Sequence, residues 1–398
     1  MPPSERLRTR LAREAGRLAP AIDALGRFLH RHPELSEQER GSAAALCRFL
    51  RGEGFTIRRG VAGLPTAFVA RRRRGRGARI AFLAEYDALP GIGHACGHNL
   101  IGAAAAGAGA ALGRLLGEVP GEVVVIGTPA EETIGGKVVM ADRGVFRGLD
   151  AALMFHPSTE NRVYTTSLAC HSLEVTFLGR AAHAVSAPHH GINALDALLR
   201  LFFAVHRLKH RLPREVRMPG IIVEGGRRAN IVPDRATGRF SLRARNLATL
   251  ARVERAFRQA ARRAARDTRA RVRIRPIDHP YAEMRTNRVI ADVFKAELAR
   301  LGRRTEDGPR KTMGSLDMGN VSQRVPAIHP YIAVAPRSVP LHSAPFARRA
   351  GGPAGRAALR VAVRALALSG LRLLSERDLL ARARREFAAS GRRRRRTR

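Results

Sequence analysis

The sequence predicts an α/β protein whose mostly parallel sheet is flanked by helices and interrupted by an inserted, ferredoxin-like α+β domain. Three observations carry this. Short apolar runs at 80–84 (IAFLA), 123–126 (VVVI) and 151–155 (AALMF) alternate with helical stretches, the rhythm of a parallel sheet covered by helices. Near residue 170 the rhythm changes to strand, helix, strand, strand, helix, strand, the split βαβ order. From residue 286 the helix-and-strand alternation returns, so the smaller domain sits within the larger one. The 398 residues are too many for one ordinary core, and the insert, at about 110 residues, is large enough to fold alone.

In chain order, residues 4–31 place Leu7, Leu11, Ala15, Leu18, Ile22, Leu25, Phe28 and Leu29 at helical spacing, and Pro33 ends that helix. A second helix opens at Ser36 with Glu37 and Glu39, runs through Leu50 and stops at Gly54. Residues 55–69 and 78–84 read as two strands around a basic tip, Arg71 to Arg74. The small-residue stretch 99–116 reads as a helix packed close to the sheet. The strand at 123–126 stops at Gly127-Thr128-Pro129, Gly135-Gly136 lead into a short helix, and the strand at 151–155 ends at His156-Pro157. In the insert, strands fall at 172–178, 221–223, 239–244 and 272–277, and helices at 191–212 and 250–266. A helix at 287–301, a strand at 328–334, a loop bearing His342 and a closing helix at 352–370 complete the pattern, and the last residues, 386–398, read as a disordered basic tail.

A net charge of +39 raises nucleic acid or an anionic surface as a partner. Yet Lys137, Lys209, Lys295 and Lys311 are the only lysines among 72 basic residues. The arginines are spread along the whole chain, as codon bias would spread them, and no aromatic residues are interleaved with them as a stacking platform needs. Nucleic acid is therefore not the expected partner. No apolar run approaches the ~18 residues of a membrane span, and residues 1–20 lack the apolar core of a signal peptide. Cys47, Cys96 and Cys170 cannot all pair, so a reducing, cytoplasmic location is expected.

The chemistry centres on residues 80–98, IAFLAEYDALPGIGHACGH. An apolar strand breaks at Pro90, Gly91 and Gly93 and is followed by His94, Cys96 and His98 ahead of a helix. Ligands in open α/β sheets bind at such loops, at the carboxyl ends of strands. A cysteine with two histidines suits zinc or another divalent transition metal, although a buried Cys beside surface histidines has the same appearance. Three further loops change the balance. Glu131 and Glu132 follow the strand at 123–126, His156 follows that at 151–155, and His342 follows that at 328–334. If the strands are parallel, all four loops open at one sheet edge. Adjacent carboxylates repel unless a cation lies near one of them. If Glu132 holds the cation, Glu131 is left beside it to take a proton from water and hand it to a leaving amine.

The segments AEYDALPGIGHACGHN, GTPAEE, FHP, GRAAHA, NIVPD, LDMGNVS and IHPY together resemble the M20 metallopeptidase family, in order and over most of residues 20–370. The branch they are most similar to contains aminoacylase-1-like and p-aminobenzoyl-glutamate hydrolase-like amidohydrolases. The resemblance implies a catalytic domain (1–169 and 282–385) with a lid and dimerisation domain (170–281) inserted. It implies two divalent metal ions, zinc or manganese, held by Cys96, His98, Glu132, His156 and His342, with Cys96 bridging them and Glu131 as general base. It makes Asp87 a residue that orients the metal site, His183 a lid histidine that steadies the oxyanion in a partner subunit, and Asn230 a substrate contact, and it leaves His94 a structural role. The implied activity is hydrolysis of the amide in a small dipeptide or N-acyl amino acid with a free carboxylate, by a homodimer. Asn99, Thr133, Ile134 and Leu316 stand where many relatives carry other residues, and none of them removes a ligand. The competing reading is a non-catalytic basic binding protein on the same scaffold, attaching to nucleic acid through its arginines.

Overall fold

The computed structural model describes residues 4–307 and 314–396. The chain divides into two compact units. Ser167–Glu283 with 314–316 forms one, and the flanking segments form the other.

The larger unit begins with α1 (Glu5–Arg31), started by the Ser4 side chain, which accepts from the Leu7 N–H. Helix α2 (Arg40–Gly52) and strands β1 (Thr56–Arg59), β2 (Phe68–Arg74) and β3 (Arg79–Ala84) follow. Next come α3 (His98–Gly113), β4 (Gly121–Gly127), α4 (Gly136–Asp142), β5 (Ala151–Leu153) and β6 (His156–Ser158). Within the smaller unit lie β7 (Ala169–Leu178), α5 (Ala194–Lys209), β8 (Gly220–Glu224), β9 (Arg235–Ala244), α6 (Leu247–Thr268) and β10 (Arg271–Pro276). The chain then returns to the larger unit through α7 (Arg288–Arg300), α8 (Met318–Ser322), β11 (Ala327–Ile328), β12 (Tyr331–Ala333), α9 (Ala344–Gly351), α10 (Pro353–Ser375) and α11 (Arg377–Arg396).

The main sheet has the order β1-β2-β4-β3-β5-β11. Strands β4, β3, β5 and β11 are parallel, and β1 and β2 are antiparallel additions at one edge. Helix α3 is buried along its whole length, packed on β3 and against α1 and α10. Its Ala and Gly content is what such burial demands, because larger side chains would hold the helix away from the sheet. In the smaller unit the strand order is β10-β7-β9-β8, all antiparallel. Helices α5 and α6 pack on this sheet through a core that includes Leu173, Phe177, Leu198, Phe240 and Phe257.

Three expectations are corrected. Arg71 to Arg74 do not form a hairpin tip. They lie in β2, paired from Arg71 opposite Val124 to Arg74 opposite Gly121, with Arg71 donating to Glu122 at 2.8 Å and Arg72 to the Glu53 carbonyl at 2.8 Å. Near a sheet edge, long arginines keep their heads in water or on acceptors while the backbone pairs. The strand expected at 328–334 is two short strands, because His329-Pro330 shifts the chain from β5 to a new partner, β6. The tail read as disordered from residue 386 is helical to Arg396. Its first part is fastened by Glu386, which accepts from the N–H groups of Arg288 and Val289 at 2.9 and 3.0 Å. Arg285 supports it by donating to the Phe387 carbonyl and to Ser390. Residues 397–398 of that stretch lie outside the described residues. Among the described residues no helix is long and apolar enough to cross a membrane, and the three cysteines are buried and form no disulfide.

The close approach of α3 to the sheet is testable. A Cβ on Gly109 would meet Val125 Cγ2 at 2.3 Å, so Gly109→Ala should destabilise by about 1–3 kcal/mol. Gly16, on α1 with open space around it, should instead gain about 0.5–1 kcal/mol as Gly16→Ala. Urea unfolding midpoints that move the same way for both would contradict this packing.

Candidate metal centre

The parallel strands β3, β4 and β5 end on one side of the sheet, and the segments leaving them carry the ligand-type residues. After β3 come Glu85, Tyr86 and Asp87, and the loop returns at Cys96-Gly97-His98. Gly97 has φ +84, and a Cβ there would lie 2.4 Å from Pro157 Cγ. Only glycine lets the chain turn this tightly between Cys96 and the first residue of α3.

His98 is fully buried. Its Nδ1 lies 2.9 Å from Asp87 Oδ1 and 3.0 Å from the Asp87 carbonyl, which places the proton on Nδ1 and leaves Nε2 with its lone pair facing inward. His156 Nδ1 likewise donates to the Pro157 carbonyl at 2.7 Å, and its Nε2 lies 3.4 Å from Cys96 Sγ. Glu132 Oε1 stands 3.8 Å from His98 Nε2 and 3.7 Å from His342 Nε2. Three sets of side chains bring one ligand atom each to within 4.8 Å of one another: Cys96, His98 and His156; Cys96, Glu132 and His342; and His98, Glu131 and Glu132. Cys96 belongs to two of the sets, an arrangement that suits two neighbouring ions sharing a ligand.

The residues fit a metal on an independent ground. His98 Nε2, Glu132 Oε1 and Glu85 Oε2 are buried without a hydrogen-bond partner, and Glu85 Oε2 lies 3.5 Å from His98 Nε2. Orphaned polar atoms are costly, and several converging on one point are what a cation satisfies. Burial pushes the Cys96 thiol up, so its ionisation requires a cation beside it.

Asp87 ties the centre together. Its Oδ2 accepts from the Glu132 N–H at 3.0 Å and from the Ser36 hydroxyl at 2.8 Å, while Oδ1 faces His98. Burial alone would raise this carboxyl, but the electrostatic pull of the His98 ring and these hydrogen bonds bring it down to about 2. Glu131 shows the opposite balance. Burial, then the carboxylates of Asp317, Glu85 and Glu132, push it well above the usual range, so a neighbouring cation would be needed to hold it ionised and ready to take a proton.

Sequence reasoning missed the charged groups behind this centre. Lys137 is fully buried, with Nζ 2.5 Å from Glu85 Oε1 and 2.8 Å from Asp317 Oδ1. Asp317 also accepts the Lys137 N–H at 3.0 Å. These three residues are far apart in the chain, so no motif joins them. A signal existed nonetheless: Lys137 is the sole lysine before residue 209 in a chain that otherwise uses arginine. His94 is buried with Nε2 3.0 Å from the Leu29 carbonyl, and burial and then His98 lower it to about 3, a structural setting. Asn99 is buried and donates to the Gly26 carbonyl.

In the smaller unit His183 and Asn230 come together. Ala184 N–H donates to the Asn230 carbonyl at 3.0 Å, and both side chains are exposed. His183 Nδ1 accepts from the N–H groups of Val185 and Ser186 at 3.2 and 3.1 Å, which makes Nε2 the protonated, donating nitrogen.

Residues 170–269 match the peptidase dimerisation domain of the M20 peptidases. The chain is 35% identical to a mouse (Mus musculus) Xaa-Arg dipeptidase over 96% of its own length and 92% of that protein. It is 32% identical to one of the subunits of the p-aminobenzoyl-glutamate hydrolase of Escherichia coli, over 68% of its length and 60% of the relative's. Among solved structures it superposes on a dinuclear metal-binding M20 peptidase of Bacillus subtilis with a TM-score of 0.68 at 22% identity, covering 90% of this chain and 99% of that one. The chain belongs to the M20 family of metallopeptidases and amidohydrolases. It is a hydrolase of amide bonds, and the reading as a non-catalytic basic binder finds no support among these relatives.

The clustering sets an expectation for metal. Zinc or manganese added to metal-stripped protein should bind and raise the melting temperature. Cys96→Ser and His156→Ala should lose most of that binding while keeping the wild-type far-UV circular dichroism. Full metal retention in both variants would contradict the assignment.

Proposed function

We propose that this protein is a binuclear, zinc- or manganese-dependent amidohydrolase that cleaves the amide of small dipeptides or N-acyl amino acids bearing a free carboxylate. The observation that carries the reading is the sharing of Cys96, His98 and Glu132 between neighbouring ligand sets, with His98 Nε2 and Glu132 Oε1 buried and without a hydrogen-bond partner. In this reading Cys96, His98, Glu132, His156 and His342 hold the ions. Bound there, the ions supply Lewis acidity at the scissile carbonyl and lower the pKa of a water. Glu131 takes the proton from the attacking water and delivers it to the departing nitrogen. Ions held beside Glu131 would keep it ionised for the first transfer, and release of the proton to the departing amine completes the cycle. Asp87 holds His98 and Glu132 in place. His183, with Nε2–H as donor, is suited to an oxyanion, and its neighbour Asn230 to the substrate's polar groups.

The substrate class follows from what the relatives hydrolyse, a dipeptide ending in arginine and an acylated glutamate, both small amides with a free α-carboxylate. The excess of arginine on this chain favours the approach of the anionic members of that class, such as an acylated glutamate, within the limits that salt screening sets. It does not favour that of a dipeptide ending in arginine, which is a net cation. A homodimer formed through the smaller unit is supported by the dimerisation-domain match and by the edge strand β8, where Ile221, Ile222 and Val223 are exposed. Three cysteines without a disulfide agree with a cytoplasmic setting.

Metal-loaded protein should hydrolyse members of a panel of Xaa-Arg and β-alanyl dipeptides, p-aminobenzoyl-glutamate and N-acetyl amino acids. Glu131→Gln should bind metal normally yet turn over about 10²–10⁴-fold more slowly. No hydrolysis of any member by the metal-loaded wild type would overturn the reading. If His183 serves the neighbouring subunit, His183→Ala and Glu131→Gln, each nearly inactive, should regain up to about a quarter of wild-type activity when their subunits exchange. Absence of recovery after demonstrated exchange would place His183 outside the composite site.

A further inference from the structure

Glu131 and Glu132 leave β4 through an unusual turn. Ala130 is fully buried and has φ +59, the left-handed region that side-chain-bearing residues avoid. Its carbonyl accepts from the N–H groups of Gly135 and Gly136 at 3.0 and 3.2 Å, closing the loop that carries both glutamates. Its N–H goes to Glu39, whose Oε1 accepts it at 2.8 Å.

Glu39 is itself fully buried, an uncommon place for a carboxylate. Its second oxygen, Oε2, accepts from the Thr66 hydroxyl at 2.9 Å. The Thr66 carbonyl in turn accepts from the Tyr86 hydroxyl at 2.7 Å, and Tyr86 precedes Asp87. On the same inter-helix segment, Ser36 donates to Asp87 Oδ2. One short stretch, Ser36 to Glu39, therefore braces both loops of the centre. The serine holds the loop after β3, and the glutamate holds the loop after β4.

We infer that Glu39 is a positioning residue: its carboxylate fixes Ala130 in the left-handed conformation that aims Glu131 and Glu132 into the metal centre. The inference rests on the proposed function for the roles of those two glutamates, but its geometry is independent of the substrate. Glu39 touches neither a ligand atom nor the reacting groups, and it acts through one backbone N–H. A misplacement of catalytic groups by about an ångström costs roughly 10²-fold in rate. Loss of a residue that orients a metal ligand costs about 10–100-fold in metal affinity.

The test compares four variants of the full chain by kcat, KM and Zn²⁺ affinity. Glu39→Leu should lower kcat by about 10²-fold with KM nearly unchanged, and weaken Zn²⁺ binding about tenfold. Glu39→Gln keeps a carbonyl oxygen for the Ala130 N–H and should stay near wild type. Thr66→Val removes only the second hydrogen bond of Glu39 and should also stay near wild type. The decisive variant is Glu39→Leu combined with Ala130→Gly. Glycine adopts positive φ without a brace, so kcat and Zn²⁺ affinity should rise part of the way back. A merely structural Glu39 predicts that the added glycine changes stability alone and leaves kcat per folded enzyme and Zn²⁺ affinity at the Glu39→Leu level. Failure of the double variant to exceed Glu39→Leu in both readouts, or a Glu39→Leu that matches wild type in both, overturns the inference. If Glu39→Leu does not fold, Glu39→Asp, whose carboxylate falls one methylene short of Ala130, replaces it in the same comparison. If the wild type hydrolyses no amide, the proposed function fails, and Zn²⁺ affinity across the same variants still decides the role of Glu39.

Discussion

The carboxylate of Asp87 is the constraint on which the rest of the centre depends. It takes hydrogen bonds from three separate stretches of chain: the His98 ring, the Glu132 backbone and the Ser36 hydroxyl. Each bond fixes something different. The first sets the His98 tautomer, the second the path of the loop after β4, and the third the segment between α1 and α2. A buried carboxylate with this many donors stays ionised, and its charge is in place before any cation arrives. Replacing it with an uncharged group would release three loops at once.

Around Asp87 the interior holds an unusual density of acid: Glu85, Glu131, Glu132 and Asp317, with Glu39 behind them. Buried carboxylates persist only when paired or hydrogen-bonded. Lys137 answers part of this charge from one side by bridging Glu85 and Asp317. The other side is left to the ligand cluster, where the orphaned atoms of His98, Glu132 and Glu85 converge. Cations held at that cluster would answer the remaining charge, which would link folding, metal binding and chemistry in one region.

Much of this was legible in the sequence because each ligand-type residue follows an apolar run. Cys96, His98, Glu131, Glu132 and His156 announce themselves by position, and a parallel sheet gathers such positions at one edge. The α/β alternation and the split βαβ insert were readable for the same reason, since hydrophobic period survives a strong arginine bias. What could not be read were pairings between distant segments. Glu85, Lys137 and Asp317 meet only in the fold, and Glu39 looks in sequence like any acid in a first helical turn. The arginines of β2 and the helical extension through Glu386 were misread because local charge outweighed tertiary partners that the sequence does not display. Pro330 split a strand whose composition gave no hint of its two partners.

The central claim is that Cys96 sits between two ions in this centre. Anomalous diffraction from zinc-soaked crystals, recorded on both sides of the zinc absorption edge, tests it directly. The account predicts two peaks about 3.5–4 Å apart, each within about 2.3 Å of Cys96 Sγ, one nearer His98 or His156 and the other nearer Glu132 or His342. A single peak at full occupancy, or two peaks of which neither touches Cys96, would contradict it.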